Sequence, residues 1–333
     1  MQSTIQRELE KAQITFELNG AISTTLLKAF AELTIIPKRI DQVPKILSIL
    51  ATNGNDYHIH GGGSKSLLLG THNSPLKTPV IDISKLNGVE VDARTGIIKA
   101  MAGSSISRVS RMSADSSLTG LEFARDIPGS TAGAVATEAW HPIHKYKDLF
   151  DLEKLEFSQL IKYLKDILVI VNLTNEVGDE ISLTADGLEM RNKSSLLLKP
   201  GNTMFLLSAV FQLAEEDPEL IEKARAIISA GRKRMRARNK QLNPHSVGKT
   251  LGYTFVSEHS AYKKSSAADL IKTSDLPKTL NFEGMHHSNE TPNIISNTGN
   301  GTPQGYLKIA EIIRKAVFVA HNIELPLEIK IVK

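Results

Sequence analysis

The chain has 333 residues, of which 41% are apolar and 23% are charged, and it contains no cysteine. The length and apolar content predict a globular protein of roughly two or three domains with a sizeable core. The missing cysteines exclude disulfide bonds, thiolate catalysis and thiolate metal sites. A formal net charge of +4 and a pI near 9.0 suit anionic small molecules and are too weak to indicate nucleic acid.

The start of the chain, MQSTIQRELEKAQ, is polar and of mixed charge, and it lacks the apolar core of a signal peptide. Apolar runs such as DILVIVNL (residues 166–173) are far too short to cross a bilayer. We therefore expect a cytoplasmic protein that does not contact membranes.

The first fifty residues predict a strand, a turn and a helix. Helical spacing covers residues 40–54 and ends at Asn53-Gly54, a typical helix stop. Residues 56–60, DYHIH, alternate as a short strand, and Thr95-Gly96 suits a hairpin turn between two further strands. Residues 106–117 predict another helix.

The second half of the chain predicts a sheet followed by helices. Residues 166–173, 179–192 and 203–213 are typical of successive strands. A helix follows from residue 215, and we interpret its basic end, GRKRMRARNK (residues 231–240), as solvated surface rather than a phosphate-binding face. A helix over residues 306–322 and a strand over residues 325–333 complete the prediction.

Three consecutive glycines stand out in HIHGGGSKSLLLG (residues 58–70). Consecutive glycine N–H groups can form a concavity that holds a phosphate or diphosphate. A P-loop is excluded because Ser64, not glycine, precedes Lys65, and a G-x-G-x-x-G dinucleotide motif is absent. Taken alone, the run is more typical of a glycine-rich turn in a β-rich protein than of a phosphate site.

A second small-residue stretch, GLEFARDIPGSTAGAV (residues 120–135), lies further along the chain, after AGSS (residues 102–105). In this order, GGGS, AGSS and GLEF…IPGS…GAV resemble the flavin-binding half of the UDP-N-acetylenolpyruvoylglucosamine reductase family. The resemblance implies an α+β fold, with a two-lobed FAD-binding domain of the vanillyl-alcohol-oxidase type and a C-terminal α+β substrate domain. The implied domains are residues 1–78 completed by strand 322–333, residues 79–214, and a substrate-binding domain of residues 215–321.

The resemblance also implies a set of cofactor-binding residues, which small side chains and main-chain N–H groups suit physically. These residues are Gly61, Gly62, Gly63, Ser64, Lys65, Ser66, Gly103, Ser104, Gly129, Ser130, Gly133, Ala134 and Val135.

The likeness continues to the end of the chain through MRNKSSLLL, LGYTF, SNETPNIISNTGNG and IELPLEIKIVK. It implies that Arg191, Tyr253 and Glu328 occupy catalytic positions and that Asn293 binds substrate. A guanidinium suits the enolate that develops on a carboxylate, and a proton donor nearby completes the reduction.

The implied activity is the reduction of UDP-N-acetylglucosamine enolpyruvate to UDP-N-acetylmuramate with FAD and NADPH, in peptidoglycan synthesis. The implied partner is a sugar nucleotide, and we expect a monomer that binds neither nucleic acid nor membranes. Two alternatives are a divergent FAD-binding oxidoreductase with another substrate and a non-catalytic flavin-binding relative.

Several residues depart from the family pattern on the substrate side. Tyr253 stands where the family has its proton-donating serine, and Thr254 or Thr250 takes that position if the alignment shifts. Lys65 replaces an asparagine directly after GGGS, and Thr291 with Pro292 replaces a histidine.

Neither pair of closely spaced histidines predicts a metal site. His286 and His287 are adjacent and diverge, while His58 and His60 lack a third ligand at suitable spacing. We expect both pairs to be surface or loop histidines, and we expect no bound metal.

Overall fold

A computed structural model describes residues 3–139, 163–190, 194–199, 201–242, 249–257, 259–262 and 265–333. Its helices are α1 (Thr4–Lys11), α2 (Gln42–Thr52), α3 (Ile106–Asp115), α4 (Thr131–Ala136), α5 (Leu164–Ile167), α6 (Pro218–Leu242), α7 (Ala267–Lys272) and α8 (Pro303–His321). Its strands are β1 (Thr15–Ser23), β2 (Lys28–Ile36), β3 (His58–His60), β4 (Ser66–Leu68), β5 (Val80–Asp82), β6 (Val89–Asp92), β7 (Ile97–Met101), β8 (Leu118–Thr119), β9 (Leu168–Thr174), β10 (Glu180–Leu183), β11 (Phe205–Gln212), β12 (Ala214–Glu215), β13 (Lys249–Thr250), β14 (Thr279–Phe282), β15 (Met285–Ser288), β16 (Ile295–Asn297) and β17 (Lys330–Val332).

The chain divides into two compact units. The first comprises Met1–Leu18, Leu33–Gly62 and Thr78–Arg232, and the second comprises Asn19–Glu32, Gly63–Lys77 and Lys233–Lys333. The domain ranges implied by the resemblance (1–78 with 322–333, 79–214 and 215–321) stay a prediction.

Two sheets have strands in the first unit. The first has the order β1-β2-β5-β3, in which β5 pairs in parallel with both β2 and β3, and Ile35 and Ile59 both lie opposite Ile81. The antiparallel sheet has the order β10-β9-β11-β7-β6. The predicted hairpin turn at Thr95-Gly96 is confirmed, because it joins β6 to β7 and Gly96 has a φ of +70°.

The predicted helices of the first unit are confirmed with shorter limits. Helix α2 buries Val43, Ile46, Leu47 and Leu50, a spacing of three and four residues that forms one apolar face. Burying each of these side chains contributes roughly 1.5–3 kcal/mol. Helix α1 was not predicted, although Ser3 and Gln6 form a capping box at its start.

The second unit combines an antiparallel sheet of order β13-β16-β15-β14 with the parallel pair β17-β4. Helix α8, predicted over residues 306–322, starts at Pro303 after an N-cap at Thr302. It ends at Asn322, whose left-handed conformation closes the last turn. Its buried face includes Ile309 and Ile313, which belong to a separate apolar core of the second unit.

Helix α6 contains the basic stretch of residues 231–240. Lys233, Arg234 and Arg236 are exposed, so the interpretation of these three residues as solvated helix surface is confirmed. Across the described ranges, the helices lack an apolar stretch of the length needed to cross a membrane.

Candidate functional site

Two glycine-containing turns touch in the first unit. Gly61 and Gly62 directly follow His60, the last residue of β3, and Gly129 and Ser130 directly precede α4. A Cβ added to Gly62 would lie 2.6 Å from the Cα of Gly129, and one added to Gly61 would overlap Oγ of Ser130. The Gly129 backbone therefore leaves no room for a side chain at Gly62, and the Ser130 side chain occupies the space beside Gly61.

The same two turns present main-chain donors. Within the described part of the chain, the N–H groups of Gly61, Gly62, Gly129 and Ser130 donate to no protein acceptor. Such a group of N–H dipoles at converging turns suits an anionic ligand. The four residues therefore lie close together in the first unit, and their predicted contact with a cofactor stays a prediction.

Gly103 and Ser104 pack against the main chain of residues 83–88. A Cβ on Gly103 would overlap the carbonyl oxygen of Ile83 and lie 2.8 Å from that of Leu86. The Ser104 hydroxyl donates to the Gly88 carbonyl at 2.8 Å and accepts from the Gly88 N–H at 2.9 Å. Both residues have a packing role here, and their predicted contact with a cofactor stays a prediction.

Helix α4 carries the remaining predicted cofactor residues of the first unit. The N–H of Gly133 donates to Oγ of Ser130 at 3.2 Å, which caps the helix. Ala134 and Val135 are buried in the apolar core. A cofactor role for Gly133, Ala134 and Val135 remains a prediction.

The rest of the glycine run belongs to the second unit. Gly63 has a φ of +60°, and its carbonyl accepts the N–H of Thr25 at 3.3 Å. Ser64 is half-buried, and Ser66 begins β4 opposite Lys330 of β17. The predicted cofactor contacts of Gly63, Ser64 and Ser66 stay a prediction.

Lys65 meets two of the predicted catalytic residues in the second unit. Its Nζ lies 2.6 Å from Oε1 of Glu328 and 3.5 Å from the carbonyl oxygen of Tyr253. The Lys65 side chain is 33% exposed and that of Glu328 only 11%, so the ion pair is largely shielded from water. Tyr253 itself is 38% exposed. The structure thus brings Tyr253, Glu328 and Lys65 together.

Asn293 binds the main chain beside these residues. Its Oδ1 accepts the Phe255 N–H at 2.9 Å, and its Nδ2 donates to the Phe255 carbonyl at 2.9 Å. Its own carbonyl accepts the Thr254 N–H at 2.9 Å. The buried amide therefore fixes residues 254–255, and its predicted contact with substrate stays a prediction.

The alternative proton donors have other partners. Thr254 is fully buried, and its hydroxyl accepts from Tyr306 at 3.0 Å. Burial raises the pKa of the Tyr306 hydroxyl well above its usual value, so Tyr306 remains a donor. The Thr250 hydroxyl contacts the main chain of Gly252.

Arg191, the third predicted catalytic residue, lies outside the described residues. Sequence reasoning missed the bond from Tyr306 to Thr254 and the ion pair of Lys65. The paired residues Lys65 and Glu328 are 263 positions apart, so no local pattern connects them.

The expectation of surface or loop histidines was wrong. His58 and His60 are 3% and 4% exposed on β3, while His286 and His287 are 5% and 0% exposed on β15. His287 donates from Nε2 to the carbonyl of Pro292 at 2.8 Å. Among the residues that the structure describes, no three histidine or acidic side chains gather as metal ligands do.

Comparisons with known proteins match both parts of the chain. A family model described as FAD binding domain matches residues 31–151. A second model, described as UDP-N-acetylenolpyruvoylglucosamine reductase, C-terminal domain, matches residues 243–332.

Curated relatives and a solved structure agree with these matches. The UDP-N-acetylenolpyruvoylglucosamine reductase of Clostridium novyi is 28% identical, over 91% of this chain and 86% of its own. That of Clostridium tetani is 27% identical, over 98% of this chain and 91% of its own. The crystal structure of UDP-N-acetylenolpyruvylglucosamine reductase from Thermus caldophilus aligns with a TM-score of 0.67 at 20% identity, covering 96% of this chain and 99% of that one.

The fold class expected from the sequence is confirmed. The chain combines an FAD-binding domain of the vanillyl-alcohol-oxidase type with a C-terminal reductase-family domain, in an α+β arrangement of elements.

Proposed function

Because this chain belongs to the UDP-N-acetylenolpyruvoylglucosamine reductase family, we propose that it reduces UDP-N-acetylglucosamine enolpyruvate to UDP-N-acetylmuramate. The reaction uses FAD and NADPH and belongs to peptidoglycan synthesis. The protein acts in the cytoplasm as a monomer on a sugar-nucleotide substrate, without binding nucleic acid or membranes.

The observation that carries this proposal is the contact between the Gly61–Gly62 turn and the Gly129–Ser130 turn. Their four N–H groups, without acceptors among the described residues, fit the diphosphate of FAD. Absence of side chains lets a large flat cofactor approach the backbone closely. The cofactor roles of Gly63, Ser64 and Ser66 rest on the family resemblance.

When bound, FAD supplies the hydride that it receives from NADPH to the enolpyruvyl double bond. The chain's own task is to stabilise the negative charge on the substrate carboxylate and to add a proton at the adjacent carbon. We assign charge stabilisation to Arg191 on the resemblance, and Glu328 and Tyr253 belong to the proton-transfer region.

Absorbance spectroscopy tests the proposal in three steps. The purified protein should carry flavin or take up added FAD, and NADPH should bleach that flavin under anaerobic conditions. UDP-N-acetylglucosamine enolpyruvate should then restore the oxidised spectrum and yield UDP-N-acetylmuramate. A protein that stays colourless with added FAD would refute both the cofactor site and the reductase function.

Tyr253 favours a second candidate function, a flavin-dependent oxidoreductase with another substrate. A tyrosine hydroxyl extends much further from the backbone than the serine hydroxyl that the family uses, so the space for substrate differs. Flavin that NADPH reduces but that this sugar nucleotide never reoxidises would support the second candidate over the first.

A further inference from the structure

Lys65 lies two residues after the glycine run, and its side chain contacts the predicted catalytic residues of the second unit. Nζ of Lys65 lies 2.6 Å from Oε1 of Glu328. It also lies 3.5 Å from the carbonyl oxygen of Tyr253, and a Cβ on Gly252 would be 3.3 Å from it. The ammonium group therefore lies over the Gly252–Tyr253 main chain, where the family has its proton-donating serine.

Main-chain hydrogen bonds fix both partners of this ion pair. The carbonyl of Lys65 accepts the N–H of Lys330 at 2.9 Å, at the start of the β4–β17 pair. The N–H of Glu328 donates to the carbonyl of Thr254 at 2.9 Å. The main chain at Lys65 and at Glu328 is thus held by hydrogen bonds next to the β4–β17 pair, which keeps the two side chains within reach of each other.

We propose that the ammonium group of Lys65 delivers the proton that completes reduction of the substrate, with Glu328 as the residue that positions it. The proposal rests on the reductase function proposed above. It moves Lys65 from the predicted cofactor contacts to the proton-transfer region.

The proton balance of this step is simple. Hydride addition to one carbon of the double bond leaves an electron pair on the carbon next to the carboxylate. A bond forms between that carbon and a proton of Nζ as the N–H bond breaks, which leaves a neutral amine. Water then returns a proton to the amine.

The other two groups at this position are less suited to the step. In the ion pair the exchangeable protons are on nitrogen, so Glu328 acts as an acceptor that orients the ammonium. Tyr253 contributes its carbonyl oxygen to the Lys65 ammonium. Lys65 combines a positive charge, which stabilises a developing enolate, with three N–H donors.

Rapid kinetics on the FAD-loaded variants Lys65→Arg and Lys65→Ala separates this role from cofactor binding. Arginine keeps the charge and can pair with Glu328, but its guanidinium does not give up a proton. We expect both variants to bind FAD within twofold of wild type and to be reduced by NADPH at the normal rate. Reoxidation by UDP-N-acetylglucosamine enolpyruvate should slow by about 100-fold or more in both.

Chemical rescue distinguishes proton delivery by Lys65 from a purely structural role. Added ethylamine should restore part of the reoxidation rate of Lys65→Ala and leave Lys65→Arg unchanged. Lys77→Met, which removes an exposed lysine from the same unit, serves as the matched control and should behave as wild type in every step.

Three results would overturn the role of Lys65. Reoxidation at the wild-type rate in Lys65→Arg would exclude proton delivery by this residue, and loss of FAD affinity in both variants would make it a cofactor ligand. Reoxidation abolished by Tyr253→Phe but normal in Lys65→Arg would assign the proton to tyrosine. A wild-type enzyme that this substrate never reoxidises would instead refute the proposed function, and the role of Lys65 with it.

Discussion

The Cα of Gly129 lies 2.6 Å from the position that a Cβ on Gly62 would occupy. Both partners of this contact are backbone, so no rotation of a side chain can relieve it. The turn at Gly61–Gly62 and the turn at Gly129–Ser130 would have to separate if residue 62 had a side chain.

We therefore expect Gly62→Ala to weaken FAD binding. An overpacking cost of about 1–3 kcal/mol corresponds to a rise in the dissociation constant of roughly 5-fold to 150-fold. Titration of the apoprotein with FAD measures this change by flavin fluorescence. Gly187→Ala is the control, since a Cβ there meets only ordinary contacts at 3.4 Å and beyond. Equal affinity of Gly62→Ala and wild type would contradict the proposed diphosphate site.

Gly103→Ala should destabilise the first unit. The added Cβ would overlap the Ile83 carbonyl, and the cost of about 1–3 kcal/mol should be near its upper end because the neighbours are main chain. Urea denaturation gives the free energy of unfolding. Ser105→Ala, at an exposed helix start whose hydroxyl makes no capping bond, should change it by less than about 0.5 kcal/mol. Similar stability of the two variants would contradict the close packing of Gly103 against the Ile83 carbonyl.

Asn293→Asp should destabilise the second unit even though the two side chains have the same shape. The substitution replaces the Nδ2 donor by an oxygen that faces the Phe255 carbonyl, at a cost of about 2 kcal/mol or more. Thermal or urea unfolding checks this expectation. The same change at the exposed Asn322 should cost less than about 1 kcal/mol, and equal losses at the two positions would argue against the buried amide contacts.

His287 should make the second unit less stable as the pH falls. Burial lowers the pKa of this histidine from its usual 6.5 to about 4, with a further lowering by the neighbouring His286, while the hydrogen bond from Nε2 to the Pro292 carbonyl opposes the shift. Because the pKa of His287 is lower in the folded state than in the unfolded state, the stability that this histidine contributes is fully present above pH 6.5. This contribution is lost progressively as the pH falls toward 4.

Between pH 7 and pH 5 this histidine should therefore cost about 2 kcal/mol of unfolding free energy. Urea denaturation at the two pH values measures the loss in wild type and in His287→Gln, where it should be absent. The exposed His72→Gln should retain the wild-type pH dependence. A pH response in His287→Gln equal to that of wild type would assign the effect to other groups.

Local patterns were sufficient to predict much of the secondary structure. The helix predicted over residues 106–117 is observed as Ile106–Asp115, and the strand predicted over residues 56–60 as His58–His60. Both depend on spacing and on nearby stop signals, which act over a few residues.

The parts that could not be predicted depend on residues far apart in sequence. The burial of His287 follows from the packing of β15 within its sheet, which its immediate neighbours do not indicate. The role of Lys65 was inferred from its place after the glycines, whereas its side chain pairs with Glu328. Side-chain direction at the end of a turn depends on tertiary contacts, and these are absent from a local pattern.

The pairing of β4 with β17 has a consequence for how the protein is made. Residues 66–68 leave the ribosome long before their partner strand at residues 330–332 is synthesised. The Lys65–Glu328 pair therefore forms only after Glu328 has emerged from the exit tunnel. Translation products that stop before Glu328 should lack this ion pair and be inactive.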